Sequence, residues 1–250
     1  HTLYEAYTHY VPGDSPALKR FVVELSTSYA NSADQVIAPS QSIADLLVDR
    51  GVETPIAVVP TGIDRAAFAS GDGAAFRQAW GLDPDAPVMG HVGRLAEEKN
   101  LSYLTDALLK ALAQSPRAQV LIVGEGAEHE AIADQVAQAG VGDRVCLTGA
   151  LEWPALADAY AAMDLFAFAS HTETQGLVLA EAMAAGVPVV GWVAPGARGG
   201  VDVQPNGGFL LAAPMVGGLA GGVWDWLVGT TARTRRGAGG LAEPLRAFYS

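Results

Sequence analysis

Apolar and polar positions alternate in two registers from Pro87 onward. Val88–Val92, Gln119–Val123, Val145–Leu147, Leu165–Ala169, Val187–Val190 and Phe209–Leu211 are short apolar runs of strand length. Between them, Leu101–Gln114 carries apolar residues at 3.6-residue spacing, Glu128–Ala139 reads as a second helix, and Pro154 opens a third over Ala155–Met163. Strands alternating with helices predict an α/β fold with a doubly wound parallel sheet, in which ligands bind beyond the carboxyl ends of the strands. Upstream, a helical pattern surrounds Leu18–Tyr29, and Gln35–Pro39 and Ile56–Val59 read as strands. The helix between those strands is capped by Ser40 and ended by Gly51. This β-α-β unit is too short for a full domain and looks like the last part of a parallel sheet. The pattern divides the chain into a remnant domain (1–64), a polar connector with one short helix (65–86), a complete doubly wound domain (87–213) and a C-terminal helical segment (214–250).

Chemistry concentrates in residues 171–191, HTETQGLVLAEAMAAGVPVVG. Glu173 and Glu181 flank Gly176, Leu177 and Val178, with seven residues between the two acids. Glu173 falls in the loop before a buried helix and Glu181 about a turn and a half inside it. A carboxylate there is costly to desolvate unless something pairs with it. The amides of Gly176, Leu177 and Val178 are then donors at a helix N-terminus, suited to a phosphate or carboxylate. Such an arrangement suits a nucleotide sugar, with hydroxyls at both ends and phosphates between. Spacing alone equally allows a helix-terminal charge at Glu173 and a solvated Glu181.

A second cluster ends the strand Val88–Val92. Arg94 follows it directly, and Lys99 stands before a helix that Asn100 is expected to cap. A cation at a helix N-terminus opposes the macrodipole unless an anion lies between them. Arg94 and Lys99 therefore suggest a diphosphate site, the alternative being an ion pair with Glu97 or Glu98. Gly124-Glu125-Gly126 lacks the third glycine of a dinucleotide fingerprint and reads as a tight turn. Thr148–Leu151 ends another strand, where backbone groups could reach a base edge. Asp83-Pro84-Asp85 reads as a turn rather than a metal site. We find no metal-ligand cluster, P-loop or Ser/His/Asp signature in the sequence; His129 and His171 read as incidental. Tyr4, Tyr7 and Tyr10 recur at helical spacing, which fits packing or ligand stacking.

The 250 residues carry a net charge of −12, which argues against a nucleic-acid partner. A single cysteine, Cys146, excludes an internal disulfide and fits a reducing compartment. Val203–Trp224 lacks charge and has the length of a membrane span, but prolines and glycines interrupt it, so a strand, a loop and a surface helix are expected instead.

Gly93-Arg94-Leu95 with Lys99-Asn100, followed by Glu173-Thr174-Gln175-Gly176-Leu177-Val178 and Glu181-Ala182-Met183-Ala184, resembles the retaining glycosyltransferases of family 4 over about residues 1–212. The resemblance implies a GT-B fold of two Rossmann-like domains, only the later part of the first being expected here. It implies that Arg94 and Lys99 hold the donor diphosphate, that Glu173 contacts the donor sugar beside the amides of Gly176 to Val178, and that Glu181 binds the ribose. It places Leu151 at the base, and makes His1, in the opening His1-Thr2, a histidine facing the reaction centre. No metal and no cofactor beyond the nucleotide-sugar substrate is implied. HTLYEAYTHY together with ETQGLV looks most like the diacylglycerol glucosyltransferase branch. That branch implies a lipid or glycan acceptor, a cytoplasmic location and peripheral contact at the inner face of the membrane. GDP-mannose-dependent mannosyltransferases and a donor-binding module without turnover are the alternatives. The opening at His1, inside an apparently structured stretch, leads us to expect a chain truncated at its N-terminus, with weak donor binding and poor turnover.

Overall fold

The computed structural model describes Tyr4, Glu5, Thr8 and residues 15–170, 176–192 and 208–211. Helix α1 (Pro16–Ala30) is started by Ser15, whose side chain accepts from the Leu18 amide. Strands β1 (Val36–Ala38) and β2 (Ile56–Val58) pair in parallel through α2 (Gln41–Asp49), which Ser40 caps. Ala38, Ile43 and Ala44 are the buried core of this unit.

Between residues 65 and 86 the sequence suggests one short helix, and the structure has two, α3 (Arg65–Ala69) and α4 (Gly73–Ala79). Such short helices show little periodicity, and tertiary packing stabilises them. Asp64 and Asp72 cap them through the amides of Ala67 and Ala75. The segment is also docked on the larger unit. Phe76 is buried in that unit's core. The Asp72 amide donates to Asp158 at 2.7 Å, and Arg77 donates to the Ala162 carbonyl and pairs with Asp164 at 2.7 Å. Asp83 accepts the Asp85 amide at 2.8 Å, the geometry of a turn.

The main sheet has six parallel strands: β3 (Val88–Val92), β4 (Gln119–Val123), β5 (Val145–Leu147), β6 (Leu165–Phe168), β7 (Val189–Trp192) and β8 (Gly208–Leu211). On one face, α5 (Leu101–Gln114) and α6 (His129–Ala139) set Leu104, Leu108, Ile132 and Val136 against Met89, Val120 and Ile122. On the other, α7 (Ala155–Ala161) and α8 (Leu177–Ala184) set Tyr160, Leu179 and Ala182 against Val88, Leu121 and Phe166. Both faces are covered, which is why β3 and β6 are buried along their whole length and why, His91 apart, both read as apolar runs. The strand order is β5-β4-β3-β6-β7-β8. The chain winds outward from β3 to β5, then returns to β6 on the other side of β3. The crevice of such a sheet opens at this reversal, above the carboxyl ends of β3 and β6. Among the described residues no helix is long and apolar enough to cross a membrane.

Candidate active site

The crevice begins where β3 and β6 part. Their pairing covers Met89 with Leu165 and Gly90 with Phe166. One residue further along, His91 Nδ1 lies 3.0 Å from the Ala167 carbonyl, and its ring stacks on Phe166 at 6.0 Å between centroids. The carbonyl can only accept, so Nδ1 carries the hydrogen and Nε2 is left with its lone pair. Nε2 is buried and without a partner among the described residues. Burial lowers the imidazole pKa to about 4, opposed by the Ala167 bond and assisted by the charge of Lys99. His91 is therefore neutral at pH 7.

The loops above the strands are tied to one another. The Gly93 amide donates to Val123 at 3.0 Å and the Leu95 amide to Glu125 at 2.8 Å, while the Gly124 amide donates to Gly149 at 2.8 Å. A Cβ on Gly124 would lie 1.8 Å from the Gly93 oxygen, and one on Gly126 2.1 Å from the Leu95 oxygen. The Gly124-Glu125-Gly126 turn is thus also the place where one backbone passes directly over another.

Arg94 forms an ion pair with Glu98. The acid side chain is 2% exposed and the arginine side chain 56%, so the pairing anchors a guanidinium that still faces solvent at the crevice. Lys99 closes a 3₁₀ turn, Glu97–Lys99. Asn100 occupies the expected cap position of α5 but makes no side-chain capping bond. Its backbone is left-handed, with φ of 54°, unlike the extended conformation from which a capping side chain reaches the first-turn amides. Across the crevice, the Ser170 hydroxyl donates to the Glu98 carbonyl at 3.4 Å and links the loops after β3 and β6.

Gly176 precedes α8 with φ of 70°. The amides of Leu177 and Val178 open the helix, where no intrahelical acceptor exists. Glu181 follows, half-buried, and its Oε2 accepts a hydrogen bond from the Tyr160 hydroxyl at 2.7 Å. Leu151 lies beyond β5 and packs partly buried against the second core. Thus Arg94 and Lys99 lie on the loop after β3, and Gly176, Leu177, Val178 and Glu181 at the helix that follows β6, both at the reversal of strand order. Leu151 belongs to the loop after the edge strand. His1 and Glu173 lie outside the described residues. Sequence reasoning missed His91 and Tyr160, because each occupies a position that the periodic pattern marks only as core. Cations and helix N-terminal amides beside a braced carboxylate can hold an anion flanked by hydroxyl groups.

Comparison with known proteins names the family. Residues 72–237 match the model described as "Glycosyl transferases group 1", and residues 1–67 that described as "Glycosyltransferase Family 4". The chain belongs to the group 1 glycosyl transferases. It is 30% identical over 195 residues to the alpha-monoglucosyldiacylglycerol synthase of Streptococcus pneumoniae, covering 76% of this chain and 44% of that protein. It is 37% identical over 190 residues to the D-inositol 3-phosphate glycosyltransferase of Segniliparus rotundus, covering 71% of this chain and 41% of that protein. The chain therefore spans less than half the length of each of these relatives. Among solved structures, HepE of Anabaena, in complex with UDP and glucose, superposes with a TM-score of 0.73 at 28% identity, over 85% of this chain and 59% of that one. Sucrose-phosphate synthase of Thermosynechococcus elongatus superposes at 0.71 with 27% identity, over 91% and 57%. These neighbours make the fold of this group 1 glycosyl transferase chain GT-B in type.

Proposed function

We propose that this chain carries the donor-binding part of a retaining glycosyltransferase that moves a hexose from a UDP-sugar to an acceptor hydroxyl. The observation that carries this reading is the convergence of Arg94, Lys99 and the α8 N-terminus on one reversal point of a sheet of this family. In this reading Arg94 and Lys99 neutralise the diphosphate, and the Gly176, Leu177 and Val178 amides add the positive end of a helix dipole. Glu181 accepts from the ribose hydroxyls, and the backbone near Leu151 meets the base. His1 and Glu173 are assigned to the reacting sugar by resemblance alone. In front-face transfer the bond from the anomeric carbon to the diphosphate breaks, and the acceptor oxygen bonds that carbon on the same face. The acceptor proton passes to the departing phosphate oxygen. Stabilising that departing charge is the largest demand on the site, and the basic pair and helix amides meet it.

The neighbour solved with UDP and glucose favours uridine over guanosine as the base. The relative named for monoglucosyldiacylglycerol supports a lipid acceptor reached from a membrane surface. Calorimetry of the 250-residue chain with UDP and with GDP tests the donor reading. We expect UDP to bind more tightly, and Arg94→Ala to weaken it by roughly tenfold or more, as loss of a charge-assisted contact does. If Arg94→Ala and Lys99→Ala both bind UDP as the parent does, the diphosphate assignment is wrong. In a version extended to the length of the relatives, Glu173→Ala should abolish transfer of glucose from UDP-glucose to diacylglycerol.

A further inference from the structure

We infer that Tyr160 is a positioning residue that holds Glu181 in the orientation required to receive a ribose diol. This rests on the assignment of Glu181 to the ribose made above. The tyrosine ring is fully buried, 5.6 Å from Phe68 edge-to-face and 5.8 Å from Phe166. Phe68 comes from α3 and also packs edge-to-face on Trp153 at 5.6 Å, so the segment before the donor sheet supplies one wall of this support. Held in this way, the phenol directs its hydroxyl at Glu181 Oε2, 2.7 Å away.

Burial and the neighbouring Glu181 carboxylate both raise the phenol pKa, so the hydroxyl keeps its proton and remains a donor. Oε1 of Glu181 makes no hydrogen bond among the described residues. One carboxylate oxygen is thus tied to the core, and the other is left to accept from a ligand hydroxyl. A glutamate side chain that must be ordered on binding loses rotamer freedom. Ordering it beforehand removes that cost from the binding step. The remaining side chains of α8 (LVLAEAMA) are apolar and offer no substitute acceptor.

The test is a comparison of UDP with 2′,3′-dideoxy-UDP by calorimetry on the full chain. Tyr160→Phe keeps the ring and removes only the hydroxyl, and its fold is checked by thermal unfolding. We expect Tyr160→Phe to weaken UDP binding about 5- to 10-fold while changing 2′,3′-dideoxy-UDP less than about twofold. Glu181→Ala should abolish the preference for UDP over the dideoxy ligand, and adding Tyr160→Phe to it should cost nothing further. Glu181→Gln keeps an acceptor oxygen and should retain part of the preference.

If Tyr160→Phe leaves the preference intact while Glu181→Ala removes it, the inference fails and the ribose assignment stands. If Tyr160→Phe weakens both ligands alike, the tyrosine is a packing residue and the inference also fails. If the parent chain shows no preference, or Glu181→Ala retains it, the ribose assignment itself falls and takes the inference with it.

Discussion

His91 shows what one side chain does at the floor of the crevice. Its folded pKa lies at about 4, against 6.5 for an ordinary histidine. Between those values the unfolded chain binds a proton that the folded chain does not. The contribution is therefore complete above pH 6.5 and is lost as pH falls toward 4. Its size is about 3 kcal/mol at 1.36 kcal/mol per pKa unit. We expect urea unfolding to show this loss between about pH 7 and about pH 4.5 in the parent. In His91→Phe the slope over that interval should shrink, leaving the acid limb from carboxylates in place. An unchanged slope would show that His91 is not buried as a neutral ring. Arg94 makes a related point. It pairs with the buried Glu98 while its own side chain stays 56% exposed, and the diphosphate contact proposed for it would add to that pair.

Among elements, the loops after β3, β4 and β5 are set by backbone contact more than by side chains. Gly124 is required twice, by its φ of 143° and by the Gly93 oxygen 1.8 Å from where its Cβ would stand. Gly90 is a milder case. Its Cβ would meet the buried Met163 side chain, 2.1 Å from the sulfur and 2.5 Å from Cγ, so a side chain rather than a backbone has to shift. Gly124→Ala should therefore cost about 3 kcal/mol and Gly90→Ala about 1 kcal/mol, read from denaturant midpoints. Equal costs would mean that the loops yield as easily as the methionine does. The docking of α3 and α4 follows the same logic. Cβ atoms at Gly71 and Gly73 would meet the Ala157 and Ala161 oxygens at 2.3 and 2.2 Å. A stretch whose composition reads as a connector is thereby held against α7, close enough to brace Tyr160.

For the whole molecule, net charge and family membership pull in different directions. The chain is acidic at −12, yet the proposed ligand is an anion. In the proposed reading, Arg94, Lys99 and the α8 N-terminus act on the ligand at short range, within a Debye length of about 8 Å at physiological salt, where distant surface acids count for little. Ligand binding to the native state should then appear as global stabilisation. UDP at about one hundred times its Kd stabilises the native state by about 2.7 kcal/mol, which should raise Tm by roughly 5–10 °C for a chain of this size. The shift should shrink at high salt and in Arg94→Ala. No shift at any UDP concentration would remove the donor-binding reading.

Periodicity and punctuation alone determined the alternating elements of the main sheet, with the strands from β3 to β8 falling within a residue or two of the runs that predicted them. They did so because a sheet covered on both faces leaves unbroken apolar strands, and amphipathic helices leave a 3.6-residue trace. The motif residues around Arg94 and Glu181 were legible for a different reason: charge and glycine are conspicuous in apolar surroundings. Tertiary structure alone decided the strand order, and so where the crevice opens. It also decided that α3 and α4 dock, that Asn100 stands at a helix start without capping it, and that the buried polar ends of His91 and Tyr160 meet the Ala167 carbonyl and the Glu181 carboxylate. These depend on contacts between residues far apart in the chain, such as Phe68 with Tyr160 and His91 with Ala167, for which a local pattern holds no record.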